Sequence, residues 1–468
     1  MSTKNPHLVE GTRSWSWYLK YVSNPFACLN RVSKEHGNVL ALGNPVPFGG
    51  RGRRYVMAFG EGANRDVFSQ PDLFIPGGQV LKGPKGSAQR RLRGGLLAMH
   101  GDKHRSHRKA MQPPFSKLSV ASYVPTITKL IDQVFDRWVI GEAFDMYEET
   151  TTMANWIAAH ILFDHEDFDR SVETCELITR WIDLDVKARS FPLPYCHFGT
   201  PFAKLLDHAE VLEKAMLNLI SEKRKEEIPG NDVLSVLVQA SKEEGADISD
   251  IDLTAHAVIL HTAAFITTAS SLAWTMYLIA QNPKFAAELD AEIKANITDW
   301  PPDPKQVEKL PLLDGLIRES LRLMPPVHHT IRTATAETEL LNVTLRKGDR
   351  VVVSAYMTHR DPTLFENPEQ FDPKRWIDKK AGPFQYTPFS AGPRLCIGYQ
   401  FAMLEMKLIV VRMMQRFRLS VVANSSIEAD CQLTLRPTKG MPMVVNKPEG
   451  AFVANPVTGN INDLIQLE

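Results

Sequence analysis

The sequence predicts a mainly α-helical protein with a minor β portion. Three observations carry that prediction. A stretch of 31 residues, 253–283, contains no Asp, Glu, Lys or Arg. Helical periodicity dominates residues 103–296, and the strand-like pieces are short and lie towards the two ends of the chain. With 468 residues, 44% of them hydrophobic and 23% charged, the chain can bury a large core without disulfide staples.

Residues 1–100 read as loop-rich, with strand-like pieces at 38–42 and 54–59. Residues 77–95, rich in Gly, Arg and Lys, read as a mobile surface loop. Helices are expected over 115–138, 202–225 and 247–281, the last opening on an acidic turn. Trp300-Pro-Pro-Asp-Pro is a break, followed by a helix over 312–323 and a strand over 350–354. A turn-rich stretch, 361–395, leads into a helix over 397–418 and strands near 432–435 and 443–446. No linker interrupts this order, so residues 1–468 are expected to form one domain, with 1–20 and 450–468 as peripheral tails.

The uncharged stretch is long enough to span a bilayer. It also carries His256, His261 and a series of hydroxyls, which are costly in lipid. A helix buried on all sides at the centre of a soluble protein is the expectation, its polar groups turned towards something inside.

Lys and Arg number 54, as do Asp and Glu, and this neutrality argues against a nucleic-acid binder. Residues 1–110 nevertheless hold 18 Lys/Arg against 6 Asp/Glu. That excess is expected to form a basic docking face for an acidic partner. The five cysteines are odd in number and form no metal-finger spacing, which fits a reducing compartment. The polar N-terminus has neither a signal-peptide core nor a membrane anchor, so a cytoplasmic location is expected.

Chemistry concentrates at Phe389-Ser-Ala-Gly-Pro-Arg394-Leu-Cys396-Ile-Gly398. Two glycines allow a planar group to approach the backbone, and Arg394 and a following helix N-terminus favour a thiolate. These are the requirements of a cysteine used as a metal ligand. The segment resembles, position for position, the haem-ligand signature FxxGxRxCxG of the cytochrome P450 family. Glu319-Ser-Leu-Arg322 is similar to the family's ExxR, and Phe371-Asp-Pro-Lys-Arg375-Trp376 to its later Pro/Arg motif. The resemblance covers about residues 20–450.

It implies a P450 fold, with haem b between the long central helix and the loop and helix of the cysteine ligand. Cys396 would be the axial ligand of the iron, with Phe389 and Gly398 beside it. His104, Arg108, Arg332 and Arg394 would hold the haem propionates; His104 and Arg108, spaced i and i+4, share a helix face. Glu319, Arg322 and Arg375 would form a buried structural network, and Thr267 and Thr268 would be the catalytic pair of the central helix. The distal pocket would involve His261, Thr262, Ala263, Phe265, Val327, His328, His329, Ile331 and Met441, together with the loop at 77–97. Either His328 or His329 could anchor a polar group on the substrate.

The implied activity is a monooxygenase that hydroxylates or epoxidises a lipophilic molecule such as a steroid, terpenoid or fatty acid. With no nucleotide loop or iron–sulfur cysteine set in the sequence, no fused reductase is expected. Two electrons, ultimately from NAD(P)H, would arrive through a ferredoxin or flavodoxin with its reductase, docking at Lys103, Arg105 and Lys109 on a monomer. Two positions depart from the family pattern: Ile266 replaces the acid before Thr267, and Ala264 replaces a glycine. Water with Thr267, or His261, could supply protons instead. A peroxygenase, isomerase or dehydratase needing no outside electrons is the alternative, and a non-catalytic haem or ligand binder a minor one.

Overall fold

The computed structural model describes residues 7–43, 54–78, 81–163, 168–190, 199–227, 230–243, 247–431 and 433–467. Its axis is the helix Asp250–Gln281. Ser249 and Asp252 cap its start reciprocally, each side chain bonding the other's backbone N–H. Among the described residues it is the one helix long and apolar enough to cross a membrane. It runs instead through the main core, where Leu272, Trp274 and Tyr277 are fully buried.

Helices Met146–Phe163, Phe168–Ser190 and Pro201–Lys225 pack around it on one side, and Pro311–Leu323 and Tyr399–Arg416 on the other. The expected helix over 115–138 is divided at Tyr123 into Lys117–Ser122 and Val124–Phe135. Pro125 explains the break: it fits the first turn of a new helix and cannot continue the old one.

A six-stranded sheet lies to one side, in the order His7–Val9, Val39–Leu42, Tyr55–Ala58, Arg350–Val353, Thr330–Ala334, Phe74–Pro76. Its register sets Arg332 opposite Val351 and Pro76. Two smaller cores sandwich this sheet.

Three expectations change. The early chain holds two helices, Gly11–Ser23 and Pro25–His36, where loops were expected. The signal was present: Asn24 caps the second helix by accepting from the Ala27 N–H, and Pro25 occupies its first turn.

Among the described residues the terminal segments are not peripheral tails either. Trp17 and Tyr21 are buried in a core, and Ile461 and Ile465 are buried beside Phe371, whose N–H bonds the Gln466 carbonyl.

Residues 77–95, expected to be mobile, are tied down, although Gln79 and Val80 lie outside the described residues. Ala88–Leu92 is a short helix. Trp181 Nε1 donates to Gln89 Oε1 at 2.7 Å, Arg91 pairs with Glu213 and Arg93 pairs with buried Asp185 at 2.6 Å. The arginines that suggested solvent exposure are the groups that fasten the segment. Gln432, expected to open a strand, also lies outside the described residues; the strand that follows is Leu435–Pro437.

Gly315 governs how closely two parts of this frame approach. It sits mid-helix in Pro311–Leu323, where Ala would ordinarily be favoured by about 1 kcal/mol. A Cβ there would collide with the Pro373 carbonyl, which is backbone and cannot rotate away. Gly315→Ala is therefore expected to destabilise the protein, by about 1–3 kcal/mol of overpacking cost, read from the urea unfolding midpoint.

Candidate functional site

A buried ionic knot comes first, because it positions the rest. Glu319 and Arg322, one turn apart in Pro311–Leu323, are both fully buried and meet in a two-pronged pair at 2.8 and 2.9 Å. Glu319 also accepts from Arg375 Nε at 3.1 Å, from Trp376 Nε1 at 2.9 Å and from the Asp372 N–H at 3.0 Å. Arg322 spends its remaining donors on the carbonyls of His359, Pro368 and Gln370. Both charges are thus saturated, the condition under which such a pair is tolerated in a dry interior.

From this knot the frame reaches the cysteine loop through His359. Its Nδ1 donates to the Arg322 carbonyl at 3.2 Å, and its Nε2 accepts from the Thr387 N–H at 2.9 Å. Burial, with Arg322 and Arg360 nearby, pushes its pKa down to about 3, so the ring stays neutral in one tautomer. Nothing in the sequence around His359 marks this role. Trp376, by contrast, directly follows Arg375.

The loop then closes on itself. The Cys396 N–H bonds the Phe389 carbonyl at 2.9 Å, and Phe389 packs edge-on to Tyr399 with ring centroids 4.8 Å apart. Gly392 has φ +64°, and a Cβ there would meet the Phe68 carbonyl oxygen at 2.5 Å. Its glycine thus serves backbone packing, not the approach of a ligand. Gly398 differs: no atom lies within 4 Å of where its Cβ would be.

Cys396 is set deep among protein atoms, yet its side chain is accessible. Burial pushes its thiol up, while the Gly398 N–H and Arg108 pull it down. The cation acting on the sulfur is Arg108; Arg394, expected in that role, turns away and donates to the Met99 carbonyl at 2.6 Å.

His104, Arg108, Arg332 and Arg394 converge. Arg108 donates to the Leu395 carbonyl at 2.7 Å, joining helix Gly101–Met111 to the loop. Arg394 Nε is buried without a partner. Burial and the neighbouring Arg394 push Arg332 down to about 10, and burial, Arg394 and Arg108 push His104 down to about 4. Among the described residues none of these three arginines makes an ion pair with a carboxylate. A half-buried set of unpaired, mutually repelling cations suits a dianionic group. With an accessible deep thiol and a bare glycine alongside, these residues fit a haem bearing two carboxylates.

On the central helix, Thr267 is half-buried and donates to the Ala263 carbonyl at 2.7 Å, leaving its oxygen free to accept. Ala263 and Ala264 are half-buried, whereas Thr268 is buried, 4% exposed, and lies apart from that surface. Val327 is exposed and Ile331 half-buried.

Several pocket expectations are corrected. His261 is fully buried, stacked on Phe163 and 3.6 Å from Cys175 Sγ, so it cannot stand in for the missing acid. Phe265 is buried against it. Thr262 is buried and bonds the Val258 carbonyl. Met441 is fully buried in the main core. His329 and His328 form a closed chain, Tyr21 Oη to His329 Nε2, His329 Nδ1 to His328 Nε2, and His328 Nδ1 to Cys431 Sγ, each at 2.8 Å. Both rings are occupied by protein partners and neither is free to anchor a substrate. Two of the three expected docking cations are also engaged: Lys103 pairs with Asp252, and Arg105 with Asp72 and Asp102.

Comparison with known proteins gives a consistent picture. Residues 61–444 match the family model for cytochrome P450. The chain is 29% identical to cyclooctat-9-en-7-ol 5-monooxygenase of Streptomyces melanosporofaciens, over 78% of this chain and 80% of that protein. It is 30% identical to putative cytochrome P450 136 of Mycobacterium tuberculosis, over 75% and 72% respectively. The solved structure of retinoic acid bound cyanobacterial CYP120A1 superposes with a TM-score of 0.75 at 22% identity, covering 89% of this chain and 93% of that one.

Two outcomes are expected. Glu319→Ala leaves two buried guanidinium groups without their carboxylate, a loss of about 3–5 kcal/mol; the purified variant should carry little haem by its absorbance ratio. His359 bears a depressed pKa, so the unfolded chain takes up its proton first as pH falls below about 6.5. The stability it contributes is fully present above that pH and is lost progressively towards its folded value. Between pH 7 and pH 5 wild type should lose about 1–2 kcal/mol more than His359→Gln in denaturant titrations.

Proposed function

The chain belongs to the cytochrome P450 family and is a monooxygenase, and on that premise we propose that it hydroxylates or epoxidises a largely hydrocarbon, weakly polar substrate. The observation that carries this reading is the accessible, deeply set Cys396 beside the unpaired cations Arg108, Arg332 and Arg394. Bound there as haem b, the cofactor would supply oxygen activation, with a thiolate that favours O–O cleavage.

The protein's own residues divide the remaining work. Cys396 ligates, with its N–H fixed by Phe389 and its charge offset by Arg108. The arginines neutralise the propionates. Thr267 donates its hydroxyl proton to the Ala263 carbonyl and, on turning that donor towards the pocket, would relay a proton while its oxygen takes a replacement from water. Ala263 and Ala264, the half-buried residues beside it on the helix, carry no charge, nor do Val327 and Ile331, expected to line the same pocket. They suit terpenoids, steroids or fatty acyl chains, and an unsaturated alcohol of the kind named for the Streptomyces relative is the first to test.

Electrons are expected from NAD(P)H through a ferredoxin or flavodoxin, delivered to a monomeric, cytoplasmic, single haem domain. Lys109 is the exposed cation of helix Gly101–Met111 that has no ion pair among the described residues. A second reading, a peroxygenase or isomerase, is favoured by Ile266, which packs on the core where a carboxylate would otherwise deliver protons.

Titrating the ferric protein with neutral terpenoid alcohols, sterols and free fatty acids tests the first reading. The alcohols should shift the Soret band to shorter wavelength, and no shift with any class would overturn it. Thr267→Ala should lower product formed per NAD(P)H consumed by roughly tenfold or more, while peroxide-driven turnover with none from oxygen and reductant would select the second reading.

A further inference from the structure

Helix Gly11–Ser23 turns Ser14, Trp17 and Tyr21 inward and leaves Trp15, Leu19 and Val22 exposed at 46%, 46% and 49%. Spaced i, i+4 and i+7, these three form one apolar stripe on the outside of the molecule. Isolated exposed apolar residues are ordinary; a contiguous stripe containing a tryptophan is not.

The surroundings of the stripe are ordered. Going round the helix at about 100° per residue, the apolar row gives way to the exposed hydroxyl residues Thr12, Ser16 and Ser23, and then to exposed Arg13 and Lys20. Lys20 Nζ and the Arg31 guanidinium of the next helix lie 5.1 and 5.5 Å from the buried Trp17 ring, which fixes both cations at the edge of this face. Residues 1–35 hold five Lys/Arg and two acids, Glu10 and Glu35, the latter paired with Arg31 at 2.5 Å. Among the described residues the exposed cations Arg13 and Lys20 make no ion pair, in contrast to Lys103 and Arg105, which are paired.

We propose that the face of helix Gly11–Ser23 bearing Trp15, Leu19 and Val22 is a docking surface for an anionic lipid bilayer. Apolar, hydroxyl and cationic rows in succession match the acyl, interfacial and headgroup levels of a membrane surface that such a helix lies on without crossing. The charge selects among occupants. A second copy of this chain would bring its own cationic rim against this one, whereas an anionic surface neutralises it. The inference concerns attachment alone and does not depend on which substrate is oxidised.

The test is co-sedimentation of the haem-loaded protein with vesicles of phosphatidylcholine, with and without phosphatidylglycerol. Wild type should pellet with the anionic vesicles and be released by salt. Trp15→Ser with Leu19→Ser should bind them roughly tenfold more weakly, and Arg13→Glu should also bind less. Leu118→Ser, which alters an exposed leucine on another helix, should behave as wild type. An unchanged carbon-monoxide spectrum in each variant establishes that the fold and haem site are intact. Wild type remaining in the supernatant with both vesicles would overturn the proposal, as would a double variant that pellets like wild type. Concentration-dependent self-association abolished by the double variant, without vesicle binding, would reassign the face to contact between copies.

Discussion

A single buried carboxylate organises much of this molecule. Glu319 is held by the guanidinium of Arg322 one turn away and by the Arg375 guanidinium, the Trp376 indole N–H and the Asp372 backbone N–H, which come from a segment some fifty residues downstream. An unpaired carboxylate at that depth is intolerable, so the charge forces residues 372–376 against the helix Pro311–Leu323. Gly315 lets that approach be close, and Arg322 collects the carbonyls of a stretch that has almost no regular structure of its own. The turn-rich stretch between residues 359 and 376 is held rigid because its backbone acceptors at His359, Glu366, Pro368 and Gln370 are answered by the guanidinium groups of Arg322 and Arg375.

Rigidity there is what a thiol ligand requires. The Cys396 loop is clamped by its bond to Phe389, by His359 on one side and by Arg108 reaching across from another helix. Each clamp fixes a position before any cofactor arrives, so ligand geometry does not depend on the flexibility of a loop. The arginines beside it are left in mutual repulsion. This tension is relieved only by an anion, and it makes the cation set a receptor in which binding of the partner group and stability of the protein are coupled.

Much of this was legible in the residues. The cysteine segment, the Glu319–Arg322 spacing and the uncharged central stretch each combine a residue type with a spacing that has few structural uses. What escaped was contact-dependent. The arginines of residues 88–95 look like solvated charge in one dimension, and only the fold brings Asp185 and Glu213 to them. His261, His328 and His329 are placed around the distal pocket by the family resemblance, which locates segments and not the partners of each side chain. Their partners, Cys175, Cys431 and Tyr21, lie far away in sequence, and no local signal pairs them. Gly392 was rightly singled out but for a different reason, since the backbone of Phe68 is what presses on it.

The parallel bridge between Gln370 and Gln466 lends the frame a temporal order. Gln370 also offers its carbonyl to Arg322, so the backbone that closes the ionic knot is itself braced by residues near 466. A ribosome delivers Glu319 and Cys396 long before it delivers that brace. While the chain is nascent, the thiol is displayed on a frame still lacking one of its supports. Cofactor capture into the finished geometry therefore waits for the residues near 466, later than translation of the ligand itself.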